Sequence, residues 1–360
     1  MSTSPGSIAL CLHFSLEHYR GGEKWTASIA NRLADDGFSV DVRALPYAPG
    51  NVRRVSARSV LDSRIRYEEA WSHDLTTTDY AYLVYAPGMR QFFRGADEAI
   101  AGIHSWAFVS QSLVEPHYST LHNASKVLFR LIGAYDLRRF DRVHTVTPVF
   151  SATDHIDAVY IPNFVDRSRF HPSRAQRFDE FTVLVTAASV PEKGWDLACR
   201  TAELLSPNVR FLATGPAPSP SFESLGYLTE DRLADVYSKS HVVLHPARVD
   251  TDSMVINEAC ASGTPVVTTP LETHVRQNEA IIHASTPLEM AFHIERLHGE
   301  WATSAPYERR CRVARQTSES RDADVVYPML RDLILGVIEP PEDAIAVNEP
   351  SPGTTIPTTR

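Results

Sequence analysis

Cysteine is scarce in this chain. The four present, Cys11, Cys199, Cys260 and Cys311, are scattered with no CxxC pair and no zinc-type spacing. That excludes a disulfide framework, and Cys199 and Cys260, set in apolar helix-like stretches, read as buried free thiols. Long apolar runs are also missing: nowhere do about eighteen apolar residues run together, so no membrane-spanning helix is expected. The opening MSTSPGS has no basic lead, and Ile8 to Phe14 is too short for a signal core. Positive charge is in deficit as well, with a formal net charge of −9, which argues against a general nucleic-acid binder. These absences point to a reducing cytoplasm, with room for peripheral contact at the inner face of a membrane.

What is present suits a soluble α/β protein. The 360 residues are 43% hydrophobic and 22% charged, enough for two ordinary domains, each with its own core. Ile8 to Phe14 reads as a central parallel strand, Gly21-Gly22-Glu23 as a loop, Trp25 to Asp35 as a helix and Phe38 to Val42 as the next strand. The glycine loop sits where open sheets place ligands, although two glycines fit a plain tight turn equally well. Arg53 to Arg66 carries five arginines and reads as a solvated face, with a surface helix or an acceptor-facing patch as alternatives. Strands are expected at Tyr80 to Tyr85, Trp106 to Val109 and Arg142 to Thr147, with an amphipathic helix at Lys126 to Arg139. After a junction at Val159 to Asp166 the βα alternation restarts at Phe181. It runs on through a weak αβ unit past Thr269 and a helix at Pro287 to Leu297, to a last helix at Tyr327 to Ile338. The expected domains are 1–165, 166–310, C-terminal helices at 311–338 packing back on the first domain, and a disordered tail at 339–360 rich in Pro, Thr and Glu. Two doubly wound domains facing across a cleft make that cleft the default binding site.

The stretch from His241 to Thr269 is the sharpest feature. A strand ends at Pro246, a polar loop carries Asp250, and a helix from about Ser253 to Ala261 carries Glu258 before a second apolar run. Thr251, Asp252 or Ser253 can cap that helix. A carboxylate at Glu258 suits a ribose diol, one at Asp250 suits a sugar hydroxyl, and the amides at Ser253 and Met254 suit a diphosphate. On spacing alone, Asp250 reads equally well as a turn cap and Glu258 as a solvated helix residue.

The segment HPARVDTDSMVINEACASGTPVVTT resembles the donor-site signature of retaining family 4 glycosyltransferases of the GT-B fold, the group 1 glycosyl transferases. Gly21-Gly22-Glu23, the Ile161 to Asp166 stretch with Phe170 and Pro172, Pro191-Glu192-Lys193-Gly194, and Gly215 with Gly226 resemble further motifs of that family in order along the chain. The resemblance implies two facing Rossmann-like domains. It also implies transfer of a hexose-type sugar from a UDP- or GDP-sugar to a glycan or lipid-linked acceptor, with retention and without a metal or other cofactor. Carried over, Glu258 would hold the ribose, Asp250 the sugar, Lys193 the leaving diphosphate, and Gly22 and Gly215 would border the donor. A family histidine after an N-domain strand has His117, His104 and Gln111 as candidates here, of which His117 joins Asp250 and Lys193 in the expected catalytic set.

The sequence departs from the family at several points. Asp250 replaces a longer glutamate, Thr251-Asp252-Ser253 replaces Gly-Phe-Gly, and Asp252 would repel phosphates unless it points away. An arginine usual before the lysine is absent at Ala188 or Ser189, leaving Arg248 or Lys239 as substitutes. His241 and His245 read as structural, and Glu279 lies where the family often contacts the sugar. These departures motivate an alternative, a catalytically degenerate GT-B binding or scaffold subunit; an epimerase on the same architecture is a third reading.

Overall fold

The computed structural model describes residues 6–47, 54–104, 106–108, 119–149, 156–172, 176–186 and 191–338. In the first half the chain runs β1 (Ser7–Leu12), α1 (Gly21–Asp35), β2 (Ser39–Ala44), β3 (Arg66–Glu69), β4 (His73–Asp74), β5 (Tyr80–Val84), β6 (Phe93–Arg94), β7 (Glu98–Ile103), α2 (Thr120–Asp136), β8 (Arg142–Thr145) and β9 (Ala158–Tyr160). The second half runs β10 (Thr182–Val185), α3 (Trp195–Glu203), β11 (Arg210–Ala213), β12 (Glu223–Ser224), α4 (Glu230–Lys239), β13 (Val242–His245), α5 (Met254–Ala261), β14 (Val266–Thr268) and β15 (Ile281–His283). Three helices close it: α6 (Pro287–Ala302), α7 (Ala305–Thr317) and α8 (Ala323–Ile334).

The strands make a seven-stranded sheet, β3-β2-β1-β5-β7-β8-β9, and a six-stranded sheet, β12-β11-β10-β13-β14-β15. Pairing is parallel throughout both. Parallel sheets must be covered on both faces, and β1 shows why its sequence is apolar without alternation. Ile8, Leu10 and Leu12 pack with α1 into one core, and Ala9 and Cys11 into the other. Strand order reverses between β1 and β5 in one sheet and between β10 and β13 in the other, so each has a switch point, the place where open parallel sheets hold ligands at the carboxyl ends of their strands. The polypeptide leaving β1 enters α1, and that leaving β13 enters α5.

Helix α8 returns to the first sheet. Val326, Leu330 and Leu333 join the core of β1 and α1, and Tyr327 donates a 2.7 Å hydrogen bond to Asp36. By contrast, α7 packs with the second sheet, where Ala314 meets Ile256 and Cys260 in one core.

The structure departs from the sequence expectations in several places. Gly21 and Gly22 are not a loop but the first turn of α1, because Glu23 caps the helix by accepting from Arg20 N–H at 3.0 Å. Trp106–Phe108 is a short 3-10 turn, and the strand lies upstream at β7. That strand crosses the Tyr82 ring so closely that a Cβ on Gly102 would lie 1.9 Å from the Tyr82 hydroxyl. Arg53 to Arg66 forms no helix among its described residues beyond the turn Ala57–Ser59. Between β14 and β15 the described residues hold no helix; Pro270 cannot donate a backbone hydrogen bond. The tail at 339–360 lies outside the described residues.

Candidate functional site

β13 is wholly buried and delivers the loop that carries Asp250. Two backbone bonds pin this loop to the turn before α3, Arg248 N–H to Glu192 O at 2.8 Å and Val249 N–H to the same oxygen at 3.2 Å. Gly194 makes this approach feasible. Its φ is +69°, and a Cβ there would fall 1.9 Å from the Pro246 carbonyl oxygen. Lys193 is thereby delivered to the loop, its Nζ 3.3 Å from Asp250 Oδ1. Ser253 caps α5, its Oγ accepting from Ile256 N–H at 3.2 Å, and Met254 is the first helical residue.

Asp250 is the most heavily partnered charge of this loop. His245 Nε2 donates to Oδ2 at 2.7 Å, and Thr251 N–H donates to Oδ1 at 3.0 Å. His274 Nε2 stands 3.8 Å from Oδ2. Burial alone would raise the Asp250 carboxyl, but the Lys193 ammonium and the two imidazoles hold it well below the usual carboxylate range. Burial lowers the pKa of His245 against the pull of Asp250, so the ring is neutral at pH 7 and its Nε2–H tautomer points at the carboxylate. His245, expected to be structural, is therefore a partner of the proposed sugar-binding carboxylate. His241 does serve the framework: burial takes its pKa to about 3, and its Nδ1 accepts from Thr182 N–H at 3.0 Å.

His245, Asp250 and His274 hold ligand atoms within 4.8 Å of one another, a spacing a divalent cation can bridge. The Lys193 ammonium beside the same carboxylate opposes a second cation there.

Glu258 lies one turn further along α5 and is 4% exposed. Its Oε1 is 2.6 Å from the ammonium of Lys24, which belongs to α1 of the facing sheet. Lys24 also lies 3.6 Å from Glu230 and 4.9 Å over the Phe170 ring. Burial disfavours the Lys24 ammonium, but Glu258 and Glu230 outweigh it and raise its pKa. Tyr19 donates to Glu230 at 3.0 Å, and Arg169 pairs with the same carboxylate. The two switch points thus meet through a lysine between two glutamates. Sequence reasoning missed Lys24, and the signal was its place two residues after Gly22.

Asp252 points away from the helix end. Its Oδ2 accepts from Asn163 N–H at 2.7 Å and from Arg321 at 2.9 Å, so its charge is held by the junction and by the segment between α7 and α8. Both substitute cations are paired with carboxylates: Arg248 makes two 2.6 Å bonds to Asp196, and Lys239 pairs with Asp235 at 2.8 Å. Ala188 and Ser189 lie outside the described residues, as do His117 and Gln111. Glu279 bonds Arg309 at 3.0 Å on the surface of α7.

Of the N-domain candidates, His104 is described, directly after β7. Its Nε2 is 3.0 Å from the Tyr82 hydroxyl and its ring 4.4 Å from that of Trp25. Burial, with His144 and His13 nearby, drives its pKa well below the usual value, leaving a neutral hydrogen-bonding ring. Gly22 borders open space: a Cβ at that position would meet no atom within 4 Å. Gly215 follows β11 with φ +81° and bridges to Gly226 through a 2.8 Å bond.

Residues 180–300 match the family described as glycosyl transferases group 1. Over 127 residues the chain is 27% identical to the phosphatidylinositol N-acetylglucosaminyltransferase gpi3 subunit of Schizosaccharomyces pombe. That match covers 30% of this chain and 28% of the subunit, so the chain spans under a third of that relative's length. Sucrose-phosphate synthase from Thermosynechococcus elongatus superposes with a TM-score of 0.71 at 15% identity, covering 92% of this chain and 99% of that one. HepE of Anabaena, in complex with UDP and glucose, superposes at 0.70 and 15% identity, covering 92% and 100%. WaaG, a glycosyltransferase involved in lipopolysaccharide biosynthesis, does so at 0.67 and 14%, covering 91% and 100%. At such identities the superpositions show the fold, which is that of the GT-B glycosyltransferases.

Proposed function

From a chain of GT-B fold whose residues 180–300 carry a group 1 glycosyl transferase domain, we infer a retaining glycosyltransferase. It moves a hexose-type sugar from a UDP- or GDP-sugar to a glycan or lipid-linked acceptor. The observation that carries this reading is the buried Glu258 carboxylate at the crevice of the second sheet, answered from the facing domain by Lys24. A ribose diol can take the place of that ammonium, with both hydroxyls donating to the carboxylate. Asp250, kept ionised by Lys193 and His245, accepts from a sugar hydroxyl. The N–H groups of Ser253 and Met254 face the diphosphate at the start of α5. Gly22 and Gly215 border the donor, and of the candidates His117, His104 and Gln111 it is His104 that has a described place at a strand end.

Breaking the bond from the anomeric carbon to the diphosphate leaves negative charge on the departing group. Lys193 and the helix-end amides stabilise that charge, which makes a metal unnecessary in this reading. The UDP and glucose named with the HepE structure support a nucleotide-sugar donor.

The experiment is donor hydrolysis by the purified chain without acceptor, across UDP- and GDP-sugars. Slow release of nucleoside diphosphate is expected, and Glu258→Ala should abolish it. If no nucleotide sugar is cleaved and none shifts the melting temperature at millimolar ligand, the transferase reading fails. The second reading, a degenerate binding subunit, then takes its place. It is favoured by the self-satisfied state of the site, in which Lys24 and Lys193 already neutralise both carboxylates.

A further inference from the structure

Helix α2 is built inside out. Lys126 and Arg130 are buried at 1% and 8% exposure, whereas Leu121, Leu128, Leu131, Ile132 and Tyr135 stand 77%, 53%, 68%, 40% and 73% exposed. Spacings of seven, three, one and three residues put these five on one face of the helix. The inward side is fixed by Arg130, which donates to Ala107 O at 2.7 Å, and by Gly133, where a Cβ would meet the Phe108 ring at 2.6 Å. The apolar stripe is therefore held outward by the fold and is not a rotated core face.

The helix ends in the turn Leu137–Arg139, with Arg138 and Arg139 exposed. Arg139 lines a cavity of about 280 Å³ together with Arg90 and Arg94, and no carboxylate is among its described lining residues. Arg90 lies 5.0 Å over the Phe140 ring, and its Nη1 is buried with no hydrogen-bond partner among the described residues. Three guanidiniums concentrated in a protein of net charge −9 make a local site for a phosphate. An exposed apolar helix face beside such a site is the pattern of an interfacial helix on an acidic bilayer. A second copy of the chain fits less well, because no exposed position of α2 or its following turn offers a carboxylate to meet the arginines. This surface is distinct from the 53–66 stretch, where Arg64 and Arg66 are paired with Asp35, Asp62 and Glu68.

We propose that α2 lies in the interface of an anionic phospholipid membrane, with its apolar stripe among the acyl chains and the Arg90–Arg94–Arg139 cavity holding a headgroup phosphate. The proposal does not depend on the transferase reading and is tested without activity. Flotation of the full chain with phosphatidylcholine vesicles is compared with flotation on mixed phosphatidylglycerol–phosphatidylcholine vesicles. Binding is expected to the mixed vesicles and not to phosphatidylcholine alone. Leu128→Asp with Leu131→Asp, both at exposed positions, should lower partitioning by more than about tenfold with the thermal melt unchanged. Arg94→Gln with Arg139→Gln should lower it by about thirtyfold, roughly fivefold for each arginine near an anionic surface. Equal binding to both vesicles overturns the proposal, as does full binding by the aspartate variant. So does a dimer in sedimentation that Leu128→Asp converts to monomer, or binding of inorganic phosphate by a protein that ignores vesicles.

Discussion

Histidine protonation decides how single residues affect stability here. His144 bridges Tyr82 and the Ile161 carbonyl through contacts of 2.6 and 2.7 Å, and burial lowers its pKa from 6.5 to about 4. The unfolded chain therefore binds more protons than the folded one below pH 6.5. Stability contributed by the neutral ring is full above that pH and is lost as pH falls toward 4. His13, lowered to about 4, and His104 act in the same direction. Urea denaturation at stepped pH should show stability falling through this window, and His144→Gln should flatten the fall. An unchanged slope in that variant would contradict the assignment. At this scale the sequence singled out two carboxylates but not how they are held. Asp250 and Glu258 stand out by spacing, whereas the partners of Asp252 are Asn163 and Arg321, 89 and 69 residues away. No local pattern encodes a contact over that separation.

Among the elements, the turn into α3 sets Lys193 against the loop of Asp250. Gly194 combines a left-handed backbone with contact against Pro246, so Gly194→Ala must shift the turn, β13 or both. A loss of about 2–4 kcal/mol in chemical denaturation is expected from strain and clash together. Release of nucleoside diphosphate should fall with it, because Lys193 moves with the turn; a variant as stable and active as the parent would show that the approach is not required. The elements best read from sequence were α1 from Trp25 onward, a long stretch at helical spacing, and β13, an unbroken apolar run before Pro246. Those misread have a physical excuse. β7 is Glu-Ala-Ile-Ala-Gly-Ile, too poor in large side chains to look like a central strand, because Tyr82 fills the space those side chains would take. The glycines of α1 look like a loop until Glu23 is seen to cap them. The connection from β14 to β15 lacks the expected helix, and its loop is held instead by Thr273 donating to the Asp250 carbonyl at 3.0 Å.

Across the whole molecule, the pairing of Lys24 with Glu258 and Glu230 joins the two domains at the crevice itself. A donor whose ribose takes Glu258 must first displace this ammonium. Lys24→Ala leaves the buried Glu258 carboxylate without its cation, while Glu230 keeps Arg169, and this should lower the melting temperature of the free protein. The same change removes a competitor, so the upward shift produced by UDP should be larger than in the parent chain. A UDP shift smaller than the parent's would mean that Lys24 holds the nucleotide and does not block it. The return of α8 to the first sheet gives the molecule a second tie between its halves, through Arg32 to Asp324 at 3.0 Å and Tyr327 to Asp36 at 2.7 Å.

The placement of the lysines has a practical consequence. The chain has only four, at 24, 126, 193 and 239. Lys126 is buried at 1% exposure and Lys239 is tied to Asp235 within α4. The other two stand at the crevice, one on each domain. An amine-reactive reagent therefore turns the protein into its own reporter: peptide mapping gives two reference signals and two that track whether the crevice is open, filled or shut.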